Sequence, residues 1–291
     1  MNMELLEQLL VSGIVLGSLY AALAVSFGII YSTTRVFHLA HALVFTCGAY
    51  AAVLTASTFG TPVWVAMIVG VAASILIGLG IQAGPYTIVQ RRSKDPINVF
   101  IAALAVGIAG TALLELLFTA SNRPLTGFPE HTFVVGSVTV TLVDVVSMVV
   151  AWLSILAVGL FMTRTNRGRA ITAVRTNAGM AEAVGISKKR VYLLVFAIGS
   201  AIAGLMAQFV TLNGAATPSM GLRYVLIAFM AVFLGGIGSI KGAAVGGLAL
   251  GLITMLTGLW VSLDYGTAIA FGVVIVMLII KPHGLFGRAA V

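Results

Sequence analysis

Apolar stretches long enough to cross a lipid bilayer recur along this chain, and they dictate its solvent. An α-helix needs roughly 20 apolar residues to span about 30 Å of hydrocarbon. Residues 5–30, 36–54, 63–89, 97–118, 142–162 and 191–212 meet or approach that length, and 224–240, 243–260 and 266–280 form shorter runs. Charged residues make up only 8% of the 291 positions and hydrophobic ones 60%, whereas a soluble domain carries about a quarter charged residues. Water cannot surround such a chain. β-Barrel alternation is absent, so backbone polar groups in lipid must be satisfied within helices. The expected fold is an all-α polytopic bundle of eight to nine transmembrane helices, some short or broken, forming one domain over residues 1–291.

The first run has no Lys or Arg before it and no cleavage-site pattern, and reads as a retained span. Threading nine spans in series from an outside N-terminus puts Arg35, Arg91, Arg92, Lys94, Arg164, Arg167, Arg169, Arg175, Lys188, Lys189, Arg190, Lys241, Lys281 and Arg288 on one side. Only Arg123 and Arg223 fall on the other. The positive-inside rule makes the crowded side cytoplasmic. The net charge of +8 then reflects topology and anionic lipid, not nucleic acid.

Two connections stand out. Residues 119–141 form the expected extracytoplasmic loop, in which β-branched residues alternate around Gly136 as in a small surface hairpin. It serves either as a lid or as a plain connection. Residues 163–190 are longer than two neighbouring spans require and read as a cytoplasmic coupling loop on which a motor docks. Thr165 or Asn166 can cap a helix there. Ala170, Ala173, Val174, Ala178, Ala181 and Val184 recur at three- and four-residue steps, and Gly185 can end the helix in a left-handed cap. Arg167, Gly168, Arg169, Arg175 and Glu182 complete the expected ATPase-coupling surface; the alternative is an interfacial helix lying on anionic lipid.

Glycine is abundant at 33 residues. Small residues let helices approach closely in lipid, and Gly235, Gly236, Gly238, Gly242 and Gly246 mark either a tightly packed helix pair or a broken helix lining a pathway. The stretch GGIGSIKG lacks the Gly-Lys-Ser/Thr ending of a phosphate loop.

Ionisable groups inside spans are functional candidates by default. Glu115 is the acid well inside a span; snorkelling or a bond to a neighbouring helix is its plainer reading. His38 and His41 stand one turn apart, with no third ligand at metal spacing and Cys47 on another face, so no metal site is expected. Gln208, Thr211 and Asn213 offer neutral hydrogen-bonding groups to a passing solute, or bond helix to helix. The expected substrate pathway is Gln208, Asn213, Thr211, His41 and Glu115. The single Cys47 excludes an internal disulfide, and no nucleophile elbow or paired carboxylates point to catalysis.

The segments GIVLGSLYAALAVSFGIIYSTTRVFHLAHALVFTCGAY, NRGRAITAVRTNAGMAEAVGISKKRV, FLGGIGSIKGAAVGGLALG and KPHGLFGR resemble, in this order, the inner-membrane permeases of branched-chain amino-acid ABC importers. The resemblance implies a non-enzymatic translocation subunit in a bacterial inner membrane, without cofactor. It implies a second permease, two cytoplasmic ATPases and an extracytoplasmic binding protein as partners. The implied substrate is a branched-chain or other hydrophobic amino acid, with urea, short amides and small organic acids carried in related branches. Where the family usually reads Asn-Phe-Ala-His-Gly-Glu, this chain has His38-Leu39-Ala40-His41-Ala42-Leu43. Where the coupling loop usually has Ala-Glu-Asp, this chain has Arg175-Thr176-Asn177, implying an ATPase cleft of different charge. An autonomous carrier or channel and a membrane-embedded enzyme are the other classes; an autonomous carrier has no use for the coupling loop, and an enzyme lacks its catalytic motifs here. Cysteines placed at Ser121 and Ser187 in a Cys47→Ser background should label from opposite sides with an impermeant maleimide; same-side labelling overturns the topology.

Overall fold

The computed structural model describes residues 3–93, 95–119 and 121–286; Lys94, Gly287 and Arg288 lie outside the described residues. In chain order the helices are α1 (Met3–Thr34), α2 (His41–Phe59), α3 (Val63–Ile81), a π-turn (Gln82–Tyr86), α4 (Thr87–Arg92) and α5 (Pro96–Phe118). A hairpin of β1 (Thr132–Val135) and β2 (Val138–Thr141) follows. Then come α6 (Leu142–Arg164), α7 (Asn166–Thr176), α8 (Ala178–Ala183), α9 (Lys188–Leu212), α10 (Met220–Gly235), α11 (Ile240–Leu256) and α12 (Gly266–Ile280). Each of the nine apolar runs is helical, and among the described residues 8 helical segments are long and apolar enough to span a bilayer. The shorter α10 has 16 residues. The third run stays helical past Pro85 because the π-turn absorbs the missing N–H. Thr87 donates its hydroxyl to the Gln82 carbonyl at 2.6 Å there.

The helices gather into two compact units. One comprises the chain up to Gly28, Phe128–Ile155 and the chain from Leu226 on; the other comprises Ile29–Gly127 and Leu156–Val225.

The first unit is built on glycine. A Cβ on Gly251 would fall on the backbone of Gly17, and one on Gly247 on Tyr20 and Ala21, so α1 and α11 touch backbone to backbone. Helices α10 and α11 pack antiparallel: Gly235 faces Gly242, and Gly246 faces Ala231. A turn through Gly236 and Gly238, at φ 100° and 86°, joins them, and Ser239 caps α11 by accepting from the Gly242 N–H at 2.9 Å. The Gly-rich segment is therefore a packed helix pair. The hairpin pairs Thr132 with Thr141 and Val135 with Val138, turning at Gly136 with φ 64°. It is tied to the start of α1: Ser137 donates to Glu7, and the Thr139 N–H donates to Gln8 Oε1 at 2.8 Å.

The C-terminal motif finishes α10. The N–H groups of Leu285 and Phe286 donate to the carbonyls of Leu234 and Gly235 at 2.8 and 3.0 Å, satisfying acceptors that a helix end leaves open. Gly284 reaches them at φ 77°, with Gly236 directly beneath. Gly284→Ala should therefore cost about 1–3 kcal/mol, read as a lower melting temperature in detergent. Gly80→Ala, where an added Cβ meets nothing within 4 Å, should melt like the parent.

Candidate functional site

The second unit centres on α2, α3 and α9, brought together by small residues on a four-residue period: Gly70, Ser74 and Gly78 on α3, and Ser200 and Gly204 on α9, one turn before Gln208. A Cβ on Gly78 would meet the Ser200 side chain, one on Gly204 would meet Ser74, and one on Gly70 would meet Gln208 and the Gly48 carbonyl. This stripe is legible in the sequence, since residues four apart share a helix face. Ser74 donates to the Val44 carbonyl at 3.1 Å. Gln208 is completely buried, with Nε2 donating to the Gly48 carbonyl at 3.4 Å while Oε1 has no partner.

Along the same trio lies a cluster whose members are far apart in the sequence. Nδ1 of His38 and the Tyr86 hydroxyl are 2.7 Å apart. The His38 ring lies 5.2 Å from that of His41 and 4.7 Å from that of Phe196, centroid to centroid. His38, His41 and Tyr86 are all fully or almost fully buried. His38 Nε2, Gln82 Oε1 and Ser200 Oγ are buried without a hydrogen-bond partner. Buried polar atoms left open are rare in protein interiors, so these groups are the candidate site of this unit. The π-turn begins at Gln82, and π-bulges concentrate at functional sites. The one available signal was Pro85 inside an otherwise apolar run.

The predicted pathway residues separate. His41, Gln208 and Thr211 are buried in this unit. The Thr211 hydroxyl donates to the Ala207 carbonyl at 2.8 Å and has little left to offer a solute. Asn213 ends α9 at an exposed position, and Glu115 is exposed near the end of α5. The structure does not bring Glu115 to Gln208. Among the described residues no group of three His, Cys, Asp or Glu is placed to hold a metal ion.

Residues 163–190 form two helices where one was expected. Thr165 caps α7 by accepting from the Gly168 N–H at 3.0 Å. Gly168 is buried where a Cβ would strike the Phe161 carbonyl, so α7 folds tightly back on α6. Asn177 breaks the helix in extended geometry, φ −152° and ψ 101°. Its side chain accepts from the Met180 N–H at 3.0 Å and starts α8, a competition between side chain and helix typical of Asn. Gly185 ends α8 at φ 87°, and the Ile186 N–H donates to the Ala181 carbonyl at 2.9 Å.

This break corrects the expected apolar stripe. Ile171, Val174 and Ala181 are buried, Ala170, Ala173 and Ala178 are half-buried, and Met180 and Val184 are 68% and 74% exposed. Ala181 therefore faces its own chain, and the outward apolar pair is Met180 and Val184. Arg167, Arg169 and Glu182 are exposed around them, with Arg169 donating to Asn166. Arg175 lies in the last turn of α7, where burial and the nearby Arg35 hold its guanidinium below the ordinary value.

Among the described residues, eight apolar helical segments long enough to span a bilayer define a polytopic membrane protein. The family described as branched-chain amino acid transport system / permease component matches residues 9–280. The high-affinity branched-chain amino acid transport system permease protein LivH of Escherichia coli K12 is 31% identical over 301 residues, covering 98% of this chain and 96% of its own. BraD of Pseudomonas aeruginosa is 28% identical with the same coverage. The fructose import permease FruF of Bifidobacterium longum is 26% identical over 81% of this chain and 68% of its own. In fold, the chain resembles PsaBC from Streptococcus pneumoniae in complex with Fab, with TM-score 0.54, 13% identity and coverage of 97% and 94%. The chain belongs to the branched-chain amino acid permease family and is a multi-pass translocation subunit of an ABC importer.

Replacing Gln208 with Leu keeps the volume of a buried side chain while removing its open acceptor. Gln208→Leu and Asn213→Leu should each lower solute flux several-fold in reconstituted vesicles without loss of assembly, with a smaller effect from Glu115→Gln. If Glu115→Gln stops transport and both leucine variants run normally, the path follows α5.

Proposed function

We propose that this permease imports branched-chain or other hydrophobic amino acids. It works with a second permease subunit, two cytoplasmic ATPases and an extracytoplasmic binding protein. The observation that carries the reading is similarity to LivH and BraD over 98% of the chain. The path needs only sparse neutral polar groups, because a tight site midway would slow release. Gln208 and Asn213 have that character, and the open acceptor of Gln82 and the unpartnered ring nitrogen of His38 extend it.

Residues 163–190 are the proposed cytoplasmic docking element, and residues 119–141 the extracytoplasmic loop. Exposed Met180 and Val184 enter an ATPase cleft, while Arg169, Arg175 and Glu182 set partner choice by charge, which governs specificity and on-rate more than affinity. Ile171, Val174 and Ala181 hold the helix pair to its own unit, and Gly168 holds α7 to α6, so motion of the ATPase reaches the spans through packed contacts.

Met180→Asp with Val184→Asp should abolish copurification of the ATPase and leucine-stimulated ATP hydrolysis while leaving the permease inserted. Unchanged copurification and uptake would sink the docking assignment. Wild-type vesicles loaded with the cognate binding protein should take up labelled leucine; uptake of urea or an organic acid instead would redirect the substrate reading.

A further inference from the structure

Between α7 and the first two turns of α9 lies a cleft of about 530 Å³. Arg167 and Arg190 stand in its lining, and Ala170, Ile186, Val191 and Leu194 form its apolar wall. Neither guanidinium makes a hydrogen bond or ion pair with another described residue. From Ser187 to Leu194 the wall follows α9 for about 10 Å. Since α9 is a spanning segment beginning at Lys188, the cleft opens at the basic end of a span and runs inward along its apolar part. Lys188 and Glu182 stand outside the lining, with the Lys188 ammonium over the Tyr192 ring at 5.4 Å.

We propose that this cleft binds one anionic phospholipid, its phosphate held by Arg167 and Arg190 and one acyl chain lying along Val191 and Leu194. Basic pockets between spans on the cytoplasmic side suit anionic headgroups, and the planar donor fork of Arg matches phosphate. Free phosphate would make no use of the apolar wall. An acidic segment of a soluble subunit would not reach Leu194, which lies about two turns inside the span. The proposal rests on this end of α9 meeting a membrane surface, and is independent of the solute and of Met180 and Val184 docking. A lipid bound here braces α7 against α9, the joint through which coupling passes.

Native mass spectrometry of the full chain with added phosphatidylglycerol or phosphatidylcholine tests it. The parent should retain one phosphatidylglycerol in preference to phosphatidylcholine. Arg167→Gln with Arg190→Gln should weaken that retention about thirtyfold, at about 1 kcal/mol per cation near a lipid surface. Leu194→Trp should also displace the lipid by filling the wall with both charges kept. Inorganic phosphate should not compete. Equal retention of the two lipids, displacement by phosphate, or unchanged binding in both variants overturns the proposal. It is equally overturned if the double Gln variant keeps its lipid and loses the ATPase, because the cleft is then a subunit contact. Loss of ATPase copurification in the Met180 and Val184 variant with lipid retained leaves the two readings distinguished.

Discussion

Close approach of helix backbones is the constraint on which this structure depends. Lipid tails are as apolar as leucine, so burying one apolar side chain against another between spans gains little, and packing must come from short-range contact. Gly17 against Gly251, Gly235 against Gly242, and Gly48 and Gly70 at Gln208 supply it. A side chain at any of these points would hold the helices apart and forfeit the dispersion contacts on both sides. The same need explains why α1 is the most enclosed of the spans, with 83% of its apolar window buried.

The solvent also sorts the polar groups. Hydroxyls of Ser18, Thr34, Thr46, Thr211 and Thr254 donate to the carbonyl one turn back on their own helix, which satisfies them without water. Gln208, Gln82, Ser200 and the far nitrogen of His38 escape this local solution. Their open atoms lie in one unit, around a helix trio that contains a π-turn. The proposed passage of a polar solute would give them partners.

The helix pair after α6, the proposed docking element, is built from local constraints. Gly168 holds α7 to the end of α6, the Asn177 break turns α8 to expose Met180 and Val184, and Ala181 stays against the chain. Arg167, Arg169, Lys188, Lys189 and Arg190 collect around the start of α9, so the proposed docking and lipid surfaces would lie side by side.

The solvent, the helical class, the nine apolar runs, the hairpin turn at Gly136 and the caps at Thr165 and Gly185 were determined by the sequence itself. Each follows from local physics: run length against membrane thickness, period, and the φ angle that one residue tolerates. Tertiary structure decided what depends on residues distant in the chain. It divided the coupling loop at Asn177, turned Ala181 inward, used the terminal Gly284 to finish α10, and parted Glu115 from Gln208. It joined His38 to Tyr86 across 48 residues. Those outcomes turn on which helix faces meet, and in lipid, where hydrophobicity does not distinguish one apolar face from another, only the fit of small residues between helices decides it.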